Sequence, residues 1–418
     1  MAMREVFFGW RVVGTAFVVA VFAWGISFYG PPIFLQHLHA TRGWPISLIS
    51  AAITSHYLLG AIVVANLAAL YRRFGTVRIT RAGALLTAAG LLGWVYAREP
   101  WQLFLATPVS GAGWAMTGGA ALNAMVSPWF VRRRPAALSM AFNGASMGGV
   151  VFSPLWVALI GWLGLPAAAT LVAAAVVGVL WFLAGRYLGS NPAAMGLAVD
   201  GDAAPSVHSD RVPGEPAPPL SQPWRDRRFV TLAGASTLGL FAQIGLLAHL
   251  FSLLVPIFGE AGAGVTMGTV TACAIGGRSL LGLTMPPGAD RRVIAGANFT
   301  VQAVGSLVLV GAFMAGAPPV LPVLLGCLLF GLGIGNVTSL PALIAQTEFR
   351  VMDLARAVSL ATATGQAGYA FAPVVFGLLR EFEGAAPLLF AAAAMFQLAA
   401  AVTMLLGRRT AVRKAVRV

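Results

Sequence analysis

Twelve long apolar runs constrain this chain more than any short motif does. They lie at roughly 8–36, 44–70, 79–97, 101–126, 136–162, 165–188, 228–258, 263–286, 293–315, 318–345, 356–379 and 385–407. A bilayer-spanning helix needs about 20 mostly apolar residues. Lipid offers backbone N–H and C=O groups no partners, so runs of this kind must satisfy them internally as helices. The composition agrees: 58% hydrophobic, 10% charged and a mean hydropathy of +0.83, outside the range of soluble domains. The first run, from Trp10 to about Leu35, exceeds a signal-peptide core and has no convincing small-residue cleavage site, so it reads as a retained helix. Cys273 and Cys327 both lie in apolar runs and read as small core residues rather than as a disulfide or metal site. The sequence carries no metal-ligand cluster and no nucleophile motif, which argues against an enzyme with catalytic or metal-ligating residues and against a cofactor.

The net charge of +14 would suggest nucleic acid in a soluble protein. Here topology accounts for it. An even number of spans puts both termini on one side, and 23 of the 27 Lys and Arg residues then fall on that side. Only Arg42, Arg98 and Arg380 fall on the other, and Arg278 is left within a span. Such asymmetry follows the positive-inside rule. It predicts a multi-pass protein of the plasma (inner) membrane with both termini cytoplasmic, anionic lipid as a contact, and no nucleic-acid partner.

The longest polar stretch, 189–228, is rich in Pro, Ala, Ser and Asp and lacks helical periodicity. It divides the chain into a six-helix bundle over 1–188, a flexible cytoplasmic linker over 189–227 and a second six-helix bundle over 228–418. The two halves repeat at an offset of 220 residues. Gly14 and Gly25 match Gly234 and Gly245; Gly111 and Gly113 match Gly331 and Gly333; Ala137, Ser139, Ala141 and Gly148 match Ala357, Ser359, Ala361 and Gly368. Parallel six-helix repeats are a transporter architecture with a site near the midplane between them. The paired glycines read as packing positions, where small residues let helices approach.

All 13 acidic residues fall outside the deep parts of the spans. Arg278, in "TACAIGGRSLLGL" at 271–283, is therefore a membrane cation without a carboxylate near it. A charge in a span faces a cavity or a partner, and an anion brought from outside is the simplest partner. A guanidinium can hold a carboxylate through two charge-assisted hydrogen bonds. The alternative is snorkelling toward the cytoplasmic interface near the Pro-Pro pair at 286–287. His249 can titrate near neutral pH and is a candidate for substrate binding and proton coupling, or can simply bond to backbone. Asn143, Asn336, Gln366 and Tyr369 could orient a substrate or bridge helices, as could His56. Trp24 and Trp114 read as packing.

Three segments carry a family resemblance. The start "FFGWRVVGTAF" (7–17), the segment "SPWFVRRRPAALSMAFNGASMGG" (127–149) and the tail "NPAAMGLAVDG" (191–201) are similar to the monocarboxylate transporter and oxalate:formate antiporter branch of the major facilitator superfamily. The resemblance implies the major facilitator fold, twelve transmembrane helices in two six-helix bundles. It also implies a substrate-binding arginine on the eighth helix, which matches Arg278. Helices 1 and 7 line the cavity in that fold, which adds Tyr29, the repeat partner of His249, to the substrate contacts. Two departures matter. Ala274 stands where the proton-coupled members carry an Asp one turn before the arginine, and Arg72 stands where the superfamily's loop after helix 2 usually has Asp.

The oxalate-type members use two basic residues in the cavity, one of them on helix 11. The eleventh run here has none deep; Arg356 is at its start. A dicarboxylate would leave one charge desolvated and unpaired. The expected function is therefore transport of a small monocarboxylate by alternating access, through carboxylate exchange or proton-coupled symport, by a monomer. Transport of another organic anion such as oxalate, and a non-transporting carboxylate sensor, are the alternatives.

Overall fold

The structure is a computed structural model that describes residues 7–202, 222–286, 289–382 and 385–408. Among the described residues thirteen α-helices trace twelve spans in two six-helix bundles, two helices each running through a pair of spans and three spans being broken in two, and no strand occurs. In the first half, α1 (Phe8–Ser27) and α2 (Gly30–Arg42) make the first span. The second and third run together as α3 (Ile46–Tyr96), turned at Gly75, whose φ of 79° suits glycine. Then come α4 (Pro100–Thr117) and α5 (Gly119–Val126) as one span, α6 (Arg134–Leu163) and α7 (Leu165–Tyr187). The second half opens with α8 (Arg227–Thr284), two spans turned at Gly259 with φ 67°. It continues with α9 (Arg291–Met314) and α10 (Val320–Glu348). The eleventh span is α11 (Val351–Tyr369) with α12 (Ala372–Leu379), and α13 (Ala385–Leu406) is the last.

Breaks within the spans have local causes. α2 begins just ahead of Pro31 and Pro32, and α12 just ahead of Pro373. Proline lacks an N–H and its ring collides with the carbonyl one turn back, so it stops one helix and suits the first turn of the next. The first and eleventh spans are thus interrupted at Phe28–Tyr29 and at Ala370–Phe371.

The glycines related by the 220-residue offset make equivalent close approaches in the two halves. A Cβ at Gly25 would lie 2.3 Å from Phe152, and one at Gly245 2.4 Å from Phe376, so the first span meets the fifth as the seventh meets the eleventh. A Cβ at Gly111 would lie 2.0 Å from the His56 carbonyl oxygen, and one at Gly331 2.6 Å from that of Val270. Any larger residue at these positions would push the helices apart. Outward-facing Phe182, Leu283 and Leu321 are mostly exposed. That would be a liability in water but gives the bundle its lipid face.

The two halves interlock at the face away from the chain ends. There Ser47 bonds to Glu381, and the Val374 N–H donates to Thr54 Oγ1 at 3.3 Å. A Cβ at Gly264 would lie 2.9 Å from Val157, and one at Gly268 3.2 Å from the Val150 oxygen. The opposite face, which carries the starts of α1 and α8 and the end of α13, is called the terminal face below.

Of the expected linker, 189–227, residues 203–221 lie outside the described residues. Its first part, through Asp202, is docked rather than free. Asp200, with φ 62°, accepts backbone N–H groups of Val131, Arg132 and Arg133 at 2.8–3.3 Å, just ahead of α6. Asp202 pairs with Arg132 at 2.9 Å.

Candidate functional site

Arg278 sits on the second span of α8, partly buried, where α8 meets both α6 and α10. Its Nη1 donates to Asn143 Oδ1 on α6 at 2.9 Å. Its Nε and Nη2 both donate to the Gly335 carbonyl oxygen on α10 at 3.2 Å. The backbone of α10 comes this close because Gly335 has no side chain; a Cβ there would lie 2.3 Å from the Ala274 oxygen and 3.3 Å from Arg278 Nη2. All three bonds go to neutral acceptors. Ion pairs among the described residues include Arg132–Asp202, Arg228–Asp226, Arg292–Glu348 and Arg408–Asp290, and Arg278 is in none of these. A guanidinium has five N–H donors, so three bonds leave two of them and the whole formal charge for another group.

Two turns before Arg278 on the same side of α8 is Thr271. Tyr29, at the break between α1 and α2, is buried beside Thr271. Gly149 on α6 makes room for both. A Cβ there would lie 2.5 Å from Thr271 Cγ2 and 2.6 Å from Tyr29 Cζ. Tyr57 of α3 and Tyr369 at the end of α11 meet edge to face with centroids 5.5 Å apart. Aromatic rings thus bring α3 and α11 together across the two halves, while Tyr29 reaches α8 in the same way.

The structure brings Arg278 and Asn143 together directly, and Asn336 is next to Gly335. The Asn336 amide donates to Asn298 Oδ1 of α9 at 3.0 Å, and its own Oδ1 is buried without a partner among the described residues. His249 is placed elsewhere. It is fully buried, with Nε2 3.1 Å from the Pro373 oxygen of α12, and no hydrogen bond joins it to the Arg278 group. His56 bridges α3 to α4 through Ser110 Oγ at 2.7 Å. Ser110 Oγ also lies 2.8 Å from the Thr107 oxygen. Trp24 and Trp114 pack edge to face at 4.7 Å.

Thr271 and Tyr57 escaped the sequence reading. The spacing of Thr271 from Arg278, two helical turns on one face, is a signal that points to it. Tyr57 has no comparable signal, because its partner Tyr369 is far away in sequence.

Residues 13–373 match the family model described as Major Facilitator Superfamily. Monocarboxylate transporter 13 of Bos taurus is 30% identical over 151 residues, 35% of this chain and 34% of that protein. Monocarboxylate transporter 3 of Mus musculus is 30% identical over 155 residues, 35% and 30%. The chain thus matches about a third of the length of these curated relatives. MFS transporter asaE of Aspergillus flavus is 29% identical over 340 residues, 70% of this chain and 71% of that protein. Among solved structures, a bacterial homolog of the human lysosomal transporter Spinster, inward-facing and occupied, superposes with a TM-score of 0.71 at 14% identity, covering 95% of this chain and 96% of that one. A mutant of the nucleoside transporter NupG superposes with a TM-score of 0.68 at 13% identity, covering 96% and 100%. At these identities the likeness is one of fold.

Proposed function

The chain belongs to the Major Facilitator Superfamily, and on that premise we propose that it carries a small monocarboxylate across the membrane, with Arg278 as the anchor for the carboxylate. The observation that carries this reading is the guanidinium held by neutral acceptors only, Asn143 Oδ1 and the Gly335 oxygen, at the meeting of the two halves. Those bonds fix its orientation and leave its charge uncompensated. A carboxylate supplies the charge and takes the remaining donors in a charge-assisted pair. Similarity to monocarboxylate transporters over part of the chain supports the same substrate class.

One cation suits one carboxylate. α11 carries its arginine at Arg356, about three turns from the level of Gln366 and Tyr369, so a second carboxylate would find tyrosines and amides rather than a charge. The rest of the site is aromatic and hydroxylic, which favours a compact acid with an apolar or hydroxyl-bearing body. Transport follows from rocking the halves about this level. In the present arrangement the contacts around Ser47–Glu381 and Thr54–Val374 hold the far face together. The arginine excess supports a cytoplasmic terminal face.

Ala274, fully buried one turn before Arg278, offers no counter-charge for the empty carrier. Asn143 and Gly335 hold the guanidinium in that state, and the loaded carrier crosses more readily than the empty one. Carboxylate exchange is then faster than net uptake. His249 takes a packing role through the Pro373 carbonyl.

Uptake of a radiolabelled monocarboxylate into proteoliposomes tests the reading. Arg278→Ala should abolish uptake, and Arg278→Lys should reduce it strongly, with both variants reconstituting as well as wild type. Wild-type uptake by a well-folded Arg278→Ala protein refutes the anchor.

A further inference from the structure

The terminal face of the first half holds a cleft apart from the Arg278 group. It has a volume of about 580 Å³ and lies between the turn at Gly75 and the end of α7. Arg78, Arg81, Thr76, Ser190 and Asn191 are among the residues that line it. Arg72 and Arg73 precede it on α3 and Arg186 sits just before its α7 wall, all three exposed.

Counter-charge is missing from this region. From residue 6 to residue 199 the sequence has one acidic residue, Glu99, and it lies at the far end of the third span, at the N-terminus of α4. The next, Asp200 and Asp202, are taken by the backbone of Val131–Arg133 and by Arg132. The second half is built differently at the same face. There Arg292 forms a two-pronged pair with Glu348 at 2.6 and 2.8 Å, Arg228 pairs with Asp226 and Arg408 with Asp290. No ion pair among the described residues involves Arg72, Arg73, Arg78, Arg81 or Arg186.

We infer that this cleft binds the phosphate headgroup of an anionic phospholipid. The wall beside it is the kind that acyl chains cover. Trp181 and Phe182 are exposed on α7, and so is Phe74 at the turn. The Arg81 guanidinium lies 4.6 Å from the centre of the Trp181 ring and donates to the Trp181 oxygen at 3.3 Å. It is thereby fixed at the border between apolar surface and cleft, where an interfacial aromatic belongs. Basic pockets between spans on the inner leaflet bind anionic headgroups in this way. A soluble anion would use the arginines but gain nothing from the aromatic wall.

The test uses the full-length protein in nanodiscs of phosphatidylcholine titrated with phosphatidylglycerol, with retained lipid read by native mass spectrometry. Phosphatidylglycerol should be retained over phosphatidylcholine. Arg78→Gln/Arg81→Gln should weaken its retention by roughly 30-fold, from two surface arginines. Arg132→Gln/Arg133→Gln, with the same change in charge on the same face, should leave it within a factor of two or so of wild type. Arg78 is exposed and Arg78→Gln alone should cost about fivefold, which keeps the test open if the double variant folds poorly. Equal loss in the two double variants overturns the inference, as does equal retention of the two lipids. Displacement of phosphatidylglycerol by equimolar glycerol 3-phosphate or inorganic phosphate overturns it too, because the site would then be one for a free anion.

Discussion

Nη1 of Arg278 donates to Oδ1 of Asn143 at 2.9 Å, a hydrogen bond that joins the cation of one half to a neutral acceptor of the other. Because the bond crosses between the halves, the guanidinium is positioned by both of them while its charge stays available. Replacing the acceptor by a carboxylate of the same shape should change the carrier's behaviour more than its fold. Asn143→Asp should weaken carboxylate binding by about tenfold or more, since the guanidinium would be paired already. The same variant should bring net uptake closer to exchange, because the empty carrier would cross without a bare charge. Counterflow and net uptake measured side by side in proteoliposomes check both outcomes. Ala274→Asp, which puts a carboxylate one turn from Arg278, should act in the same direction.

Selectivity should follow the single charge. Monocarboxylates should outcompete dicarboxylates of similar size, and the amide or ester of a bound acid should lose most of its affinity. Competition against uptake of one labelled acid measures this. Tighter binding of oxalate or malonate than of lactate-like acids would show a second cation at work.

The hydroxyls beside the anchor should contribute modestly. Tyr29 is buried beside Thr271, so Tyr29→Phe removes one neutral hydroxyl from the site, whose hydrogen bond would be worth about 1 kcal/mol. An increase in KM of roughly fivefold with little change in kcat is expected. His249→Gln should lower the melting temperature through the lost contact to Pro373, with the pH profile of uptake kept. A pH dependence lost in that variant would return the histidine to proton coupling.

Much of this was legible in the sequence, and the missing parts share one cause. The spans could be read because a bilayer demands long apolar runs. The glycine pairs could be read because close packing demands small residues at matched depths. Arg278 stood out as the one charge deep in such a run. Its acceptors did not stand out. The Gly335 carbonyl has no residue-type signature, and Asn143 could equally have bridged helices. The interruption at Tyr29 needed Pro31 and Pro32 to be weighed against an apolar run that otherwise looks continuous. His249 drew attention as a polar residue in an apolar segment, yet its partner is a backbone oxygen supplied by a span more than a hundred residues later.

The dock between Asp200 and the start of α6 should depend on pH in a defined sense. Burial pushes the Asp200 carboxyl up, but bonds from the backbone of Arg133, Arg132 and Val131 and the charge of Arg132 outweigh it and hold the group below its ordinary range. A carboxyl depressed in the folded state stabilises above its unfolded pKa of about 4, and that stabilisation is lost as pH falls through the lower folded value. Asp200→Asn should therefore speed hydrogen exchange at residues 131–133 at neutral pH. The difference from wild type should shrink in acid. Unchanged exchange at neutral pH would mean that the loop is held by other contacts.

Direct binding tests the central claim without any transport step. Calorimetric titration of a small monocarboxylate and its amide into purified wild type, Arg278→Lys and Arg278→Ala compares the charge-assisted pair with its loss. The account predicts that the acid binds wild type and the amide does not. Affinity should fall roughly 100-fold in Arg278→Ala, about 3 kcal/mol for a hydrogen-bonded charge pair, with Arg278→Lys between the two. Equal affinity of the acid for wild type and for a folded Arg278→Ala protein would contradict it.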